Sequence, residues 1–194
     1  MPKHKVSAEV SARHVHLCKN HLEILFGKNY ELTKLQDISQ PGQFAANETV
    51  VLKSEAREIG NVRVLGPLRE ITQVEIAMSD VFFLKLKNVP VRISWDIDNT
   101  GSLTIVGPKG TIDLNKGVIV AQRHLHCSDS DAARLGLTHL QIVKIEINSK
   151  ERKTVYDDVV VRVSKDYVTM LHVDTDEGNA SGLWDGHVDC NIII

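Results

Sequence analysis

The sequence predicts a mainly β protein of sandwich or barrel type. Val, Ile and Thr cluster in short runs bounded by Gly, Pro, Asn and Asp, while helix-forming stretches are few and brief. A third observation is a repeated tetrapeptide, Arg13-His14-Val15-His16 and Arg123-His124-Leu125-His126, each closing an apolar run. On a strand, side chains at i and i+2 share a face, so each copy presents two imidazoles side by side.

From the N-terminus, the first His pair is followed by a helix over 19–26, which Gly27 ends as a left-handed cap. Residues 35–43 contain Gln40-Pro41-Gly42-Gln43, a turn signal read as an exposed hairpin or flap. Strands are expected at 48–52, 62–65, 73–77, 89–93, 103–105 and 117–121. Gly107-Pro108-Lys109-Gly110 is a tight turn, too short for a nucleotide cradle. After the second His pair, Ser128-Asp129-Ser130-Asp131 caps a short helix through Leu135, and Gly136 closes it. Strands follow at 141–147, 154–163 and 168–174, the last running into an acidic turn. The spacing from His14 to Gly27 (13 positions) nearly equals that from His124 to Gly136 (12 positions), which suggests a diverged internal duplication.

A chain of 194 residues can bury a full core as one large or two small domains. Its net charge of −2 provides no broad basic field for nucleic acid. No run approaches the ~18 apolar residues of a membrane span, and MPKHKVSAEV reads as neither a signal nor a transit peptide. Three cysteines, Cys18, Cys127 and Cys190, form no spaced framework and suit a reducing cytoplasm. Cys18 and Cys127 follow the His pairs, but each is better read as the start of a loop or helix than as a metal ligand.

Neutral imidazole is a preferred ligand of zinc and its neighbours, so each His pair is half of a metal site. A catalytic site needs a third ligand and an open position. Glu75, sharing a strand face with Gln73, offers one, although the residues alone favour a solvent-facing Glu75. His172 near the end of its β run offers another, or is a structural histidine. Arg69, after Gly66-Pro67, is either an anion-binding guanidinium on a turn or a surface partner of Glu70. His4, His21, His139 and His187 lie in polar or terminal segments and are expected to be solvated. Walker, G-x-G-x-x-G, G-x-S-x-G and H-E-x-x-H motifs are absent from the sequence, which leaves metal as the candidate reactive centre.

S-A-R-H-V-H-L, G-P-L-R-E-I-T-Q-V-E, V-P-V-R-I-S, V-G-P-K-G, G-V-I-V-A-Q-R-H-L-H and H-V-D-T-D-E-G-N-A occur in that order. In these segments the chain resembles the PduL-type phosphotransacylases, the phosphate propanoyltransferases, over residues 6–180. The resemblance implies two closely packed β-barrels with short capping helices and the active site between them. One barrel would comprise residues 3–12 plus 121–192, and the other 13–120, with a small two-stranded lid at about 27–47. It implies two zinc ions (cobalt or another divalent ion being an alternative), one held by His14, His16 and Glu75, the other by His124, His126 and His172. By the same resemblance Arg69 binds phosphate, while Ser11, Ala12 and Asn179 contact coenzyme A, with Arg57 a further basic candidate for the coenzyme's phosphates. Ser94-Trp95-Asp96 departs from the family's Ser-Gly-Asp, Cys127 stands where Met is common, and Gly178 where Ala is common.

The expected reaction is therefore acyl-CoA + phosphate ⇌ acyl phosphate + CoA, by direct attack of phosphate, with acetyl or propanoyl as the acyl group. Acyl-CoA, phosphate and acyl phosphate are the expected partners, together with an acetate or propanoate kinase. A homodimer is the favoured assembly. Localisation is expected to be cytoplasmic rather than in a microcompartment lumen, because no N-terminal encapsulation helix is evident. A metal-dependent hydrolase of thioesters or amides, and a closed structural metal site, are the rival readings.

Overall fold

Alternation along each strand decides which face enters a core, and the two His-bearing strands show it most clearly. Val15 and Leu17 are fully buried in one apolar cluster and Leu125 and Cys127 in another, so the histidines between them take the opposite face. In a computed structural model the chain is mainly β, with two closed six-strand barrels and four short helices. The structure describes residues 4–184 and 188–193; His187 and the expected domain edge at residue 3 lie outside the described residues.

The strands are β1 (His4–Val10), β2 (His14–Cys18), β3 (Lys34–Asp37), β4 (Phe44–Lys53), β5 (Glu58–Arg69), β6 (Gln73–Ile76), β7 (Val91–Arg92) and β8 (Gly101–Val106). They continue as β9 (Thr111–Ala121), β10 (His124–Cys127), β11 (Ile142–Ile147), β12 (Thr154–Val163), β13 (Met170–Val173) and β14 (Val188–Ile193). The helices are α1 (Lys19–Phe26), α2 (Met78–Leu84), α3 (Asp129–Leu135) and α4 (Thr175–Ser181). The expected acidic turn after residue 174 is instead the start of α4. Asp174 accepts from the Glu177 backbone N–H, and Glu177 accepts from that of Asp174, a reciprocal capping box that favours helix over turn. Gly66-Pro67 lies inside β5 rather than in a turn, so Arg69 is the last residue of a strand.

The chain divides into two compact units: unit 1 is the described part of Met1–Ala12, Ser39–Pro41 and Gln122–Ile194, and unit 2 is Arg13–Ile38 and Gly42–Ala121. The ring of unit 1 runs β1–β13–β10–β12–β11–β14 and closes on β1. That of unit 2 runs β9–β6–β2–β5–β4–β8 and closes on β9, with β3 added along β4 and β7 along β9. Taken in these orders, both rings alternate parallel, antiparallel, parallel, and then antiparallel to closure. The topology therefore repeats along the chain: β1, β2, α1, β4, β5, β6, α2, β8 correspond in order to β9, β10, α3, β11, β12, β13, α4, β14. The first strand of each repeat is exchanged, β1 closing the ring of the second repeat and β9 that of the first.

Each unit has its own core. In unit 2, Leu22, Leu25 and Phe26 of α1 and Val81 and Leu84 of α2 pack on Leu52, Val64, Val74 and Ile105. In unit 1, Ala132 and Leu135 of α3 join Ile145, Ile147, Val159, Leu171 and Ile192. The G-P-K-G turn is a packing device for α1: a Cβ on Gly107 would lie 2.5 Å from the Leu25 carbonyl oxygen, and one on Gly110 would lie 2.4 Å from that of Ile24.

Candidate metal centres

In unit 2, β2 lies between β5 and β6, and its register sets His14 opposite Glu75 and His16 opposite Gln73. One ligand atom from each of His14, His16 and Glu75 lies within 4.8 Å of the other two, and all three residues are buried. Glu75 is thus off the solvent face. Its Oε2 lies 3.7 Å from His14 Nε2, and its Oε1 accepts from Ser94 Oγ at 2.6 Å. In unit 1, β10 lies between β12 and β13, and His124 faces His172 at the equivalent register position. Ligand atoms of His124, His126 and His172 likewise lie within 4.8 Å of one another.

The donors suit a divalent ion. The Gln122 carbonyl oxygen can only accept, so His124 Nδ1–H donates to it at 2.8 Å and its Nε2 keeps a lone pair. That Nε2 lies 3.1 Å from His126 Nε2, close to the ~3.3 Å that two nitrogens span around a tetrahedral zinc with bonds of about 2.0–2.1 Å. Nδ1 of His16 is buried without a hydrogen-bond partner, which leaves that nitrogen open to a ligand. Burial, and then the charges of His14 and Arg69, hold His16 well below its ordinary pKa; burial, His124, His172 and Arg162 do the same to His126. Neutral imidazole is the form that binds metal.

Arg69 reaches the first centre by way of a register shift between His16 and Cys18, which brings Cys18 opposite Arg69. Its Nη2 donates to Gln43 Oε1 at 2.9 Å, and its guanidinium carbon lies 4.7 Å from the centre of the Trp95 ring. The same indole sits 5.6 Å from the His16 ring. Trp95 holds φ at 83°, a left-handed value costly for a bulky residue, fixed by its N–H donating to Gln73 Oε1 at 3.0 Å.

Other expected site residues are spread along the chain. Ser11 N–H donates to the Val173 carbonyl at 2.8 Å, beside the His172 strand, and Ala12 is exposed at the end of that segment. Asn179 is exposed on α4, and Arg57 lies on the β4–β5 turn with its guanidinium over the Phe83 ring at 4.9 Å. Cys18 and Cys127 are outside both ligand groups; each hydrogen-bonds instead with a threonine, Thr72 and Thr169. His21 is half-buried against Thr72 Oγ1 at 2.8 Å rather than solvated.

The arginines of the two tetrapeptides escaped the sequence reading. Arg13 makes a bidentate pair with Asp80 at 2.8 and 2.9 Å, and Arg123 pairs with Glu177 at 2.8 Å. Asp80 and Glu177 both lie five residues past the third ligand, at the N-terminus of the following helix, where each also accepts from a backbone N–H of the entering chain. The signal was present: an acid five residues after both Glu75 and His172, each matched to an arginine ahead of a His pair.

A family model described as phosphate propanoyltransferase matches residues 7–184. The chain is 48% identical over 174 residues to the phosphate propanoyltransferase of Thermotoga maritima, covering 90% of this chain and 82% of that protein. It is 45% identical over 184 residues to that of Lachnoclostridium phytofermentans (94% and 85% covered) and 42% identical over 181 residues to that of Listeria monocytogenes (93% and 84% covered).

Proposed function

The chain belongs to the phosphate propanoyltransferase family, and from that premise we propose that it transfers a short-chain acyl group, acetyl or propanoyl, reversibly between coenzyme A and inorganic phosphate. The observation that carries this reading is Arg69 beside His14, His16 and Glu75, a guanidinium next to two imidazoles and a carboxylate that suit a divalent ion. Two divalent ions, zinc in this reading, held by His14, His16 and Glu75 and by His124, His126 and His172, would supply Lewis acidity to the thioester carbonyl or the departing thiolate.

Arg69 binds phosphate and offsets its charge, and Gln43 fixes the guanidinium from one side while the Trp95 face fixes it from the other. A phosphate oxygen then attacks the thioester carbon; the C–O bond forms, the C–S bond breaks, and coenzyme A leaves as thiolate. Phosphate attacks directly in this reading, without an acyl-enzyme, and burial raises the Cys127 thiol pKa, which disfavours its thiolate as a nucleophile. Ser11, Ala12 and Asn179, with Arg57, are the proposed contacts to coenzyme A. A cytoplasmic homodimer, with an acetate or propanoate kinase using the acyl phosphate, completes the reading.

Thiol release from acetyl-CoA and propanoyl-CoA, with and without phosphate and before and after chelation, tests it. Release should require phosphate and should stop on chelation. Equal release without phosphate would establish the hydrolase reading instead. Arg69→Ala should raise the phosphate requirement at least tenfold with bound metal unchanged.

A further inference from the structure

The two ligand sets occupy the same register positions, but the strand beyond the third ligand differs between them. In unit 2, Glu75 is flanked on β9 by Ile119, which is fully buried and apolar. In unit 1, His172 is flanked on β1 by Glu9. The fold therefore does not demand a carboxylate here; this sequence supplies one. Glu9 Oε1 lies 2.7 Å from His172 Nε2, with the two side chains 24% and 11% exposed.

Glu9 is itself held. Ser39 Oγ donates to Glu9 Oε1 and lies 3.4 Å from His172 Nε2. The next residue anchors the segment: Gln40 is 2% exposed, its Nε2 donating to the Val168 carbonyl at 3.1 Å and its Oε1 accepting from the Val168 N–H at 3.3 Å. An amide that mimics a strand neighbour in this way leaves little play in Ser39. The segment expected to be an exposed flap thus has a buried residue at its turn, because both polar ends of Gln40 are satisfied by backbone.

We propose that Glu9 is the positioning carboxylate of the second centre, with Ser39 as its support. An ionised carboxylate can only accept, so Glu9 holds the proton on His172 Nε2 whenever the ring serves as a ligand through Nδ1. Glu9 thereby selects the tautomer and the ring orientation in which His172 presents a donor beside His124 and His126, the carboxylate–histidine arrangement that raises ligand basicity. Among the described residues, Glu75 has the Ser94 hydroxyl on its Oε1 where His172 has a carboxylate.

The inference rests on the two-ion reading above, and competition titration of the metal-free chain with Zn²⁺ against a chromophoric chelator tests both separately. The unaltered chain should take up two ions. Glu9→Ala should weaken one ion about 10–100-fold and leave the other unchanged. Glu9→Gln keeps an acceptor oxygen and should stay within about fivefold of the unaltered chain; Ser39→Ala should weaken the same ion by a smaller factor. With Co²⁺, Glu9→Ala should alter the visible absorption of one bound ion only, and the unfolding midpoints of the metal-free variants should match. Uptake of fewer than two ions by the unaltered chain would remove the two-ion reading itself. Two ions with Glu9→Ala unchanged would overturn this inference alone. So would Glu9→Gln as damaging as Glu9→Ala, which would make Glu9 a direct ligand.

Discussion

The barrel of unit 2 and that of unit 1 share ring order, strand direction and the register that sets a third ligand opposite the first histidine, yet their ligand sets differ in charge. One ends in Glu75, with Arg69 and Trp95 close by; the other is all imidazole, with a carboxylate one strand further out. The comparison teaches that the topology fixes where donors stand, while individual side chains decide what each centre prefers to hold. A carboxylate donor beside a guanidinium suits a centre that shares its surroundings with an anion. Three imidazole donors, carrying no carboxylate, would leave the charge of a cation held there unreduced.

The comparison breaks most severely if the two sets are not independent. Glu75→Ala and His172→Ala should each cost more than about 100-fold in affinity for one ion, beyond the effect of removing an outer partner, and leave the other ion in place. Metal analysis after dialysis reads this directly; loss of both ions from either variant would mean that the centres assemble together.

Acid should then affect both barrels through the same cause. His16 and His126 are held neutral in the folded metal-free chain, with pKa values below the ordinary 6.5. The unfolded chain therefore binds more protons below about pH 6.5, and folded stability falls as pH drops through that value. Each buried imidazole contributes at most about 1.4 kcal/mol per pH unit. Denaturant unfolding between pH 7 and 5 should show the loss, and His16→Gln and His126→Gln should each remove one share of the slope. A flat profile would show that the imidazoles are hydrated when the ions are gone.

The arginine clamps allow a finer contrast. Arg13→Ala strands Asp80, whose side chain is 5% exposed, whereas Arg123→Ala leaves Glu177 at 18%. Arg13→Ala should cost about 1–3 kcal/mol of stability and Arg123→Ala less, because water reaches its abandoned partner more readily. Thermal unfolding in the presence of chelator separates this from any effect of metal. The smallest effect is expected at Trp95. Trp95→Gly relieves a left-handed φ but removes a cation–π contact of about 0.5–1 kcal/mol, so stability should change little while the phosphate KM rises about two- to fivefold.

Much of this was legible in the residues. The His pairs, the run 154–163 that is β12, and the helix over 19–26 follow from period-2 and period-3.6 patterning. Glu75 and His172 stand as candidate third ligands in the sequence, and their opposition to His14 and His124 is a matter of register, which no local window contains. Helix α4 was mistaken for a turn because its cap residues, Asp174 to Glu177, are also turn formers; the reciprocal hydrogen bonds settle the difference. Glu9 carries no local signal in the sequence, and its place beside Ser39 depends on a segment thirty positions away. The arginines before the His pairs went unassigned for the same reason, since their acids lie 67 and 54 residues downstream.

The exchanged first strand has a consequence for biosynthesis. The ring of unit 2 has all six strands once residue 121 has left the ribosome, but β1 waits for β13 and β14. Between residues 10 and 170 the ribosome adds 160 positions, roughly 8–30 s at cellular elongation rates, during which the edges of β1 stay unpaired. Such an edge invites pairing with a neighbouring nascent chain. The candidate centre in unit 1 is therefore the later of the two to be completed.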